Sequence, residues 1–228
     1  MKFLLPLLLV VGFGGAALAA DPPATYGGAL GWYEREARAG NARAQYLYGV
    51  LLQKGVHGEA NPAEAARWFE AAAAQGHVDA AFALGVALLA GRGVDADPAE
   101  AARWLGVAAD EGLAAAQFNI GLLHEQGMGV PKDLARAADY YERAAQAGIA
   151  PAQNNLGVLY LSGDGVPQDP VLALMWLELA VRNGWEGAAV TRTELARKLS
   201  SDDVDKAMDL VRQWVELNGL GKKPAAGG

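Results

Sequence analysis

The sequence predicts an all-α fold, a solenoid of helix–turn–helix repeats. Three observations predict it. First, one piece of punctuation returns every 36 residues: GVHGEAN from Gly55, GRGVDAD from Gly91, GMGVPKD from Gly127 and GDGVPQD from Gly163. Self-similarity at such a period marks an array of small helical units. Second, apolar residues between these segments fall at helical spacing, as in Ala44, Tyr48, Leu51 and Leu52. Third, the chain is 52% hydrophobic but only 8% aromatic, much of the difference being alanine, which favours helices and is poor in strands.

The elements follow in order along the 228 residues. Residues 1–19 read as a secretory leader, with Lys2, an apolar stretch from Phe3 to Val11 and an A-x-A cleavage site at Ala17-Leu18-Ala19. The mature chain is then expected to begin at Ala20 or Asp21 and to be periplasmic or secreted. Residues 20–39 form an N-terminal half-repeat. Four full repeats cover 40–75, 76–111, 112–147 and 148–183, degenerate capping helices cover 184–219, and a flexible tail covers 220–228.

The register needs no insertion. Glycine returns at Gly40, Gly76, Gly112, Gly148 and Gly184, and a second glycine at Gly49, Gly85, Gly121 and Gly157. An aromatic column runs through Trp32, Trp68, Trp104, Tyr140 and Trp176, and predicts a packed core around Trp104. Each first helix is expected over the equivalent of 42–54. Each second helix opens on a cap: Asn61-Pro62 and Asp97-Pro98 with Glu64 and Glu100 three residues after the cap, Asp133 alone, and Asp169-Pro170. A side-chain oxygen there accepts otherwise unpaired N–H groups, and proline in the first turn loses no bond. GDGVPQD is therefore read as a helix end at Gly163, a turn at Gly165 and a cap at Asp169, not as a phosphate or calcium loop.

The repeat stands here as Ala152-Gln153, Leu156-Gly157, Leu159-Tyr160, Gly163, Gly165-Val166, Asp169, Ala173 and Trp176. It resembles the Sel-1-like repeat, a relative of the tetratricopeptide repeat, over residues 26–219. Gln45 and Gln117 repeat the Ala-Gln pair, whereas Ala81 departs from it. The resemblance implies a right-handed α/α superhelical solenoid that binds proteins or peptides, the secreted bacterial members including regulators of envelope sensors and assembly factors. One disulfide-rich branch is described as penicillin-binding or β-lactamase-like. It carries a cysteine pair in each repeat, and this chain has no cysteine.

Composition and motifs narrow the function. The net charge is −7, which disfavours nucleic acid and anionic lipid as partners. Without cysteine there is no disulfide, thiolate nucleophile or lipoprotein anchor, and beyond the leader no apolar run is long enough to span a membrane. The three histidines, His57, His77 and His124, have no metal-ligand spacing, and no catalytic motif occurs. His124 falls in the column of Leu52, Leu88 and Tyr160, so a structural role is expected. No cofactor, metal or catalytic residue is expected, and the chain reads as a monomeric, non-enzymatic adaptor or regulator. The competing reading is a cell-envelope enzyme acting on β-lactam or peptidoglycan substrates.

A partner would sit on the concave side, where first helices line extended binding surfaces. Opposite the Ala44–Tyr48–Leu52 stripe runs an apolar one: Tyr46, Phe82 and Phe118 in one column, then Val50, Val86, Leu122 and Val158 in the next, with Leu89 and Leu161. The stripe suits either packing between repeats or an apolar groove. Asn119 and Asn155 lie beside it at the repeat spacing, with Asn154 adjacent. Amides that both donate and accept can hold a peptide backbone whatever its sequence. The expected partner-binding residues are therefore Tyr46, Phe82, Phe118, Asn119, Leu122, Asn154, Asn155 and Val158.

Overall fold

A computed structural model describes residues 26–56 and 58–218. The leader expected over 1–19, His57 and the tail 220–228 lie outside the described residues. Among those described, all regular structure is helical: α1 (Tyr26–Arg38), α2 (Ala42–Lys54), α3 (Pro62–Ala73), α4 (Val78–Ala90), α5 (Pro98–Asp110), α6 (Ala114–Gln126), α7 (Leu134–Gln146), α8 (Ala150–Ser162), α9 (Pro170–Arg182), a 3-10 turn (Glu186–Ala188), α10 (Ala189–Lys198) and α11 (Ser201–Asn218). The protein is an all-α repeat protein of the solenoid class. It forms two compact units. Among the described residues, one comprises those up to Ile120 with Met128–Val130; the other comprises Gly121–Gly127 and those from Pro131 to Asn218.

The caps form as the sequence dictates. Asn61 accepts the Glu64 N–H at 3.1 Å and returns its own amide to the Glu64 carboxylate at 3.0 Å. Asp97 accepts from the N–H groups of Ala99 and Glu100, and Asp169 from those of Val171 and Leu172. The second capping glutamate differs from the first, because Glu100 pairs with Arg103 at 2.5 Å instead of reaching back to its cap. Each loop closes on a helix carbonyl, with the N–H of Asn61, Asp97, Asp133 and Asp169 donating to Leu52, Leu88, His124 and Tyr160.

In GDGVPQD, Gly163 ends α8 in the left-handed conformation (φ 80°). Gly165 does more than turn the chain. It has φ 78°, and a β-carbon there would collide with the carbonyl of Leu134, at the start of the preceding repeat's second helix. Gly93 meets Pro62 and Gly129 meets Pro98 in the same way. This glycine lets each loop lie directly on the helix start of the repeat before it.

The column expected to be buried is displaced by one residue. Trp32, Trp68, Trp104 and Tyr140 are only half-buried, and of that column Trp176 alone is fully packed. Arg103 lies 4.0 Å over the Trp104 ring. The core is formed by the next column, Phe69, Leu105, Tyr141 and Leu177, each at most 1% exposed. Opposite each stands a glycine of the 49–85–121–157 column. A β-carbon would lie 2.7 Å from Phe69 at Gly49, 2.7 Å from Leu105 at Gly85, 2.8 Å from Tyr141 at Gly121 and 2.9 Å from Leu177 at Gly157. These glycines allow the two helices of each repeat to approach closely enough for the large side chain to fill the gap.

The glutamine of the Ala-Gln pair joins successive repeats. Gln45, Gln117 and Gln153 are buried, and their amides donate to the carbonyls of Ala37, Ala109 and Ala145 at 3.1, 3.2 and 3.1 Å. These carbonyls belong to the last turn of the preceding helix, and each accepts in addition the N–H of the glycine that follows it, Gly40, Gly112 or Gly148. Gln45 and Gln153 also accept from Gln75 and Asn183 at the end of their own repeat. At the C-terminal end Ala207, Val211 and Trp214 of α11 are buried, with Trp214 edge-on to Trp176 at 6.5 Å.

Candidate partner-binding site

In the first unit, α2 places Tyr46 against His77, rings stacked 4.8 Å apart, and 6.0 Å from Phe69. Burial, and secondarily the Asp79 carboxylate, raise the Tyr46 hydroxyl above the ordinary tyrosine range. Val50 and Leu89 pack with Tyr46 on the core of Phe69, Leu84 and Leu88. Val86 and Phe118 are buried, and Phe82 is half-buried. Here the apolar stripe is largely packing between helices. Asn119 is buried as well, and its amide donates to the Ala115 carbonyl of its own helix at 2.7 Å. Its amide nitrogen is thus engaged within α6.

The second unit differs. Val158 is 42% exposed, although its neighbours Leu156 and Leu159 are buried. Leu122, Asn154, Asn155 and Leu161 are half-buried. The Asn154 amide donates to the Asn155 side-chain oxygen at 3.1 Å. Asn155 in turn hydrogen-bonds the hydroxyl of Tyr141, and that hydroxyl donates to Oε2 of Glu125 through a short bond. Burial first, then the Glu125 carboxylate, hold the Tyr141 hydroxyl far above its ordinary range, so it remains a donor throughout the stable pH range.

Of the expected site residues, the fold therefore joins Asn154 and Asn155 directly. It leaves Val158 facing outward and takes Phe118 and Asn119 into the interior. Sequence reasoning missed Glu125 and Tyr141. Their signal was a departure from register: Glu125 stands in a column otherwise Gln53, Leu89 and Leu161, and Tyr141 in one otherwise Phe69, Leu105 and Leu177. His124 is buried and stacks on Tyr140 at 5.8 Å, a packing position like that of Leu88 in its column. Among the described residues no three or more His, Asp or Glu side chains gather as a metal site would require, and no helix is long and apolar enough to cross a membrane.

The Sel1 repeat family model matches residues 42–77, 78–113, 114–149 and 150–185. The chain belongs to the Sel1 repeat family. A Sel1 repeat protein from Oxalobacter formigenes is 35% identical, with 81% of this chain and 78% of that one covered and a TM-score of 0.67. The structure of c5321, a protective antigen present in uropathogenic Escherichia coli strains displaying an SLR fold, is 26% identical with a TM-score of 0.57. That match covers 90% of this chain and 54% of c5321. No curated protein matches. The Sel1 matched segments share the 36-residue period and meet between successive helix pairs, where the buried glutamines act.

Proposed function

We propose that this Sel1 repeat protein is a periplasmic or secreted interaction scaffold, an adaptor or regulator that holds a protein or peptide on its first-helix faces. The observation that carries this reading is Val158. An exposed branched apolar side chain sits beside the paired amides of Asn154 and Asn155, on a helix otherwise packed against its neighbours. Sel1 repeats are consistent with protein–protein interaction, and the A-x-A leader supports the location. In this reading Leu122, Val158, Asn154 and Asn155 touch the partner. Tyr46, Phe82, Phe118 and Asn119 contribute on the first unit, the buried ones by setting the shape of the surface.

The test is site-specific photocrosslinking in the envelope. A photoreactive residue at 158 should give a discrete adduct. One at Val107, equally exposed but on a second helix, should give none. Adducts from both positions, or from neither, would overturn the assignment of the face.

A further inference from the structure

We propose that the first-helix face of the second unit recognises a cationic side chain, Lys or Arg, next to an apolar residue in an extended partner segment, with Glu125 receiving the cation. This rests on the preceding reading and names the partner's chemistry.

Three polar residues meet at one place where the other repeats are mostly apolar. Glu125 stands in a column otherwise Gln53, Leu89 and Leu161, Tyr141 in one otherwise Phe69, Leu105 and Leu177, and Asn155, which Asn119 matches, in one that elsewhere holds Leu47 and Ala83. Tyr141 is fully buried, and phenylalanine already fills its column at Phe69, so packing does not call for the hydroxyl. The hydroxyl joins Glu125 of α6 to Asn155 of α8. Two groups bonded to one oxygen lie within about 6 Å of each other. Glu125 therefore sits beside the amide pair and close to Val158, which follows Asn155 by one turn. Leu122 precedes Glu125 by one turn on α6, a spacing that places both on one side of the helix.

The electrostatics supply the complement. Tyr141 occupies only Oε2 of Glu125. Among the described residues the ion pairs join other carboxylates, and none involves Glu125. A half-buried carboxylate with one oxygen available and no cation beside it attracts one from outside. A phenol bond that fixes its rotamer removes much of the ordering cost of binding. A planar guanidinium or an ammonium would meet Oε1, while the adjoining apolar side chain covers Val158 and Leu122.

The test uses the mature chain, residues 20–228, immobilised and panned with a random dodecapeptide display library. Enriched peptides should share Lys or Arg next to an apolar residue. A synthetic copy should bind Glu125→Gln at least ten-fold more weakly, bind Glu70→Gln unchanged, and lose affinity as salt rises. Replacing the peptide's lysine by norleucine, or its arginine by citrulline, should weaken its binding to the wild-type chain at least ten-fold. That arm leaves the protein intact, so it decides even if Glu125→Gln folds poorly. Peptides that crosslink at 158 without a cation, or with equal affinity for Glu125→Gln, would overturn the cation site while leaving the face assignment standing. Failure to select any peptide that crosslinks at 158 would overturn both.

Discussion

Gly121 has no side chain because Tyr141 occupies its place: a β-carbon on Gly121 would stand 2.8 Å from two carbons of the Tyr141 ring. The ring is fully buried and has nowhere to retreat. Gly121→Ala should therefore destabilise the chain by about 1–3 kcal/mol, the usual cost of overpacking. Gly106 is the contrast, a helical glycine in α5 with nothing within 4 Å of a built β-carbon. Gly106→Ala should stabilise by about 0.5–1 kcal/mol through helix propensity alone. Urea denaturation of both variants checks the pair, and shifts of the same sign would refute the packing argument.

The displaced core column makes a ranking. Leu105 is fully buried, whereas Trp104 is half-buried under Arg103. Leu105→Ala should cost about 2–5 kcal/mol. Trp104→Ala should cost less, despite removing the larger side chain, because much of the ring already meets solvent. A greater loss for Trp104→Ala in chemical denaturation would return the core to the tryptophan column.

The glutamine joint predicts coupling across 30 residues. Gln153 is completely buried between the Ala145 carbonyl and the Asn183 amide. Gln153→Met keeps the volume but removes the Asn183 amide's acceptor and leaves the Ala145 carbonyl with the Gly148 N–H alone, at a cost of about 1–3 kcal/mol. Asn183→Ala in the same background should cost less than it does alone, since its partner is already gone. Strict additivity in a double-mutant cycle would show that the bond contributes nothing.

His77 predicts a pH dependence. Its Nδ1 caps α4 by accepting the Ala80 N–H at 3.3 Å, which only the neutral ring can do. Burial lowers its pKa below the ordinary 6.5, reinforced by Arg43 and opposed by Asp79. As pH falls the unfolded chain takes up this proton first. The stability it contributes is complete above about pH 6.5 and is lost progressively as pH falls towards the folded pKa. His77→Asn keeps a capping oxygen without the titration. The melting temperature of that variant should therefore fall less than wild type between pH 7.5 and 5. Equal falls would assign the pH dependence elsewhere.

The sequence by itself determined the helical class, the 36-residue period, the caps at Asn61, Asp97, Asp133 and Asp169, and the glycine turns. These are local matters: a cap needs only its own first turn, and a left-handed residue only its own backbone. Register also determined which residues are equivalent, and so left Glu125 and Tyr141 visible as departures. Tertiary structure alone decided which equivalent residues are buried. Neighbouring positions on a helix differ by 100°, and helices in a stack bury more than one side. The angle at which α5 meets α4 therefore chose Leu105 over Trp104, and the packing of α6 took Asn119 inward while Val158 of α8 stayed out. The bond from Tyr141 to Glu125 joins side chains 16 residues apart. It exists only because Gly121 lets α7 come close enough to α6, a distance that a one-dimensional period does not encode.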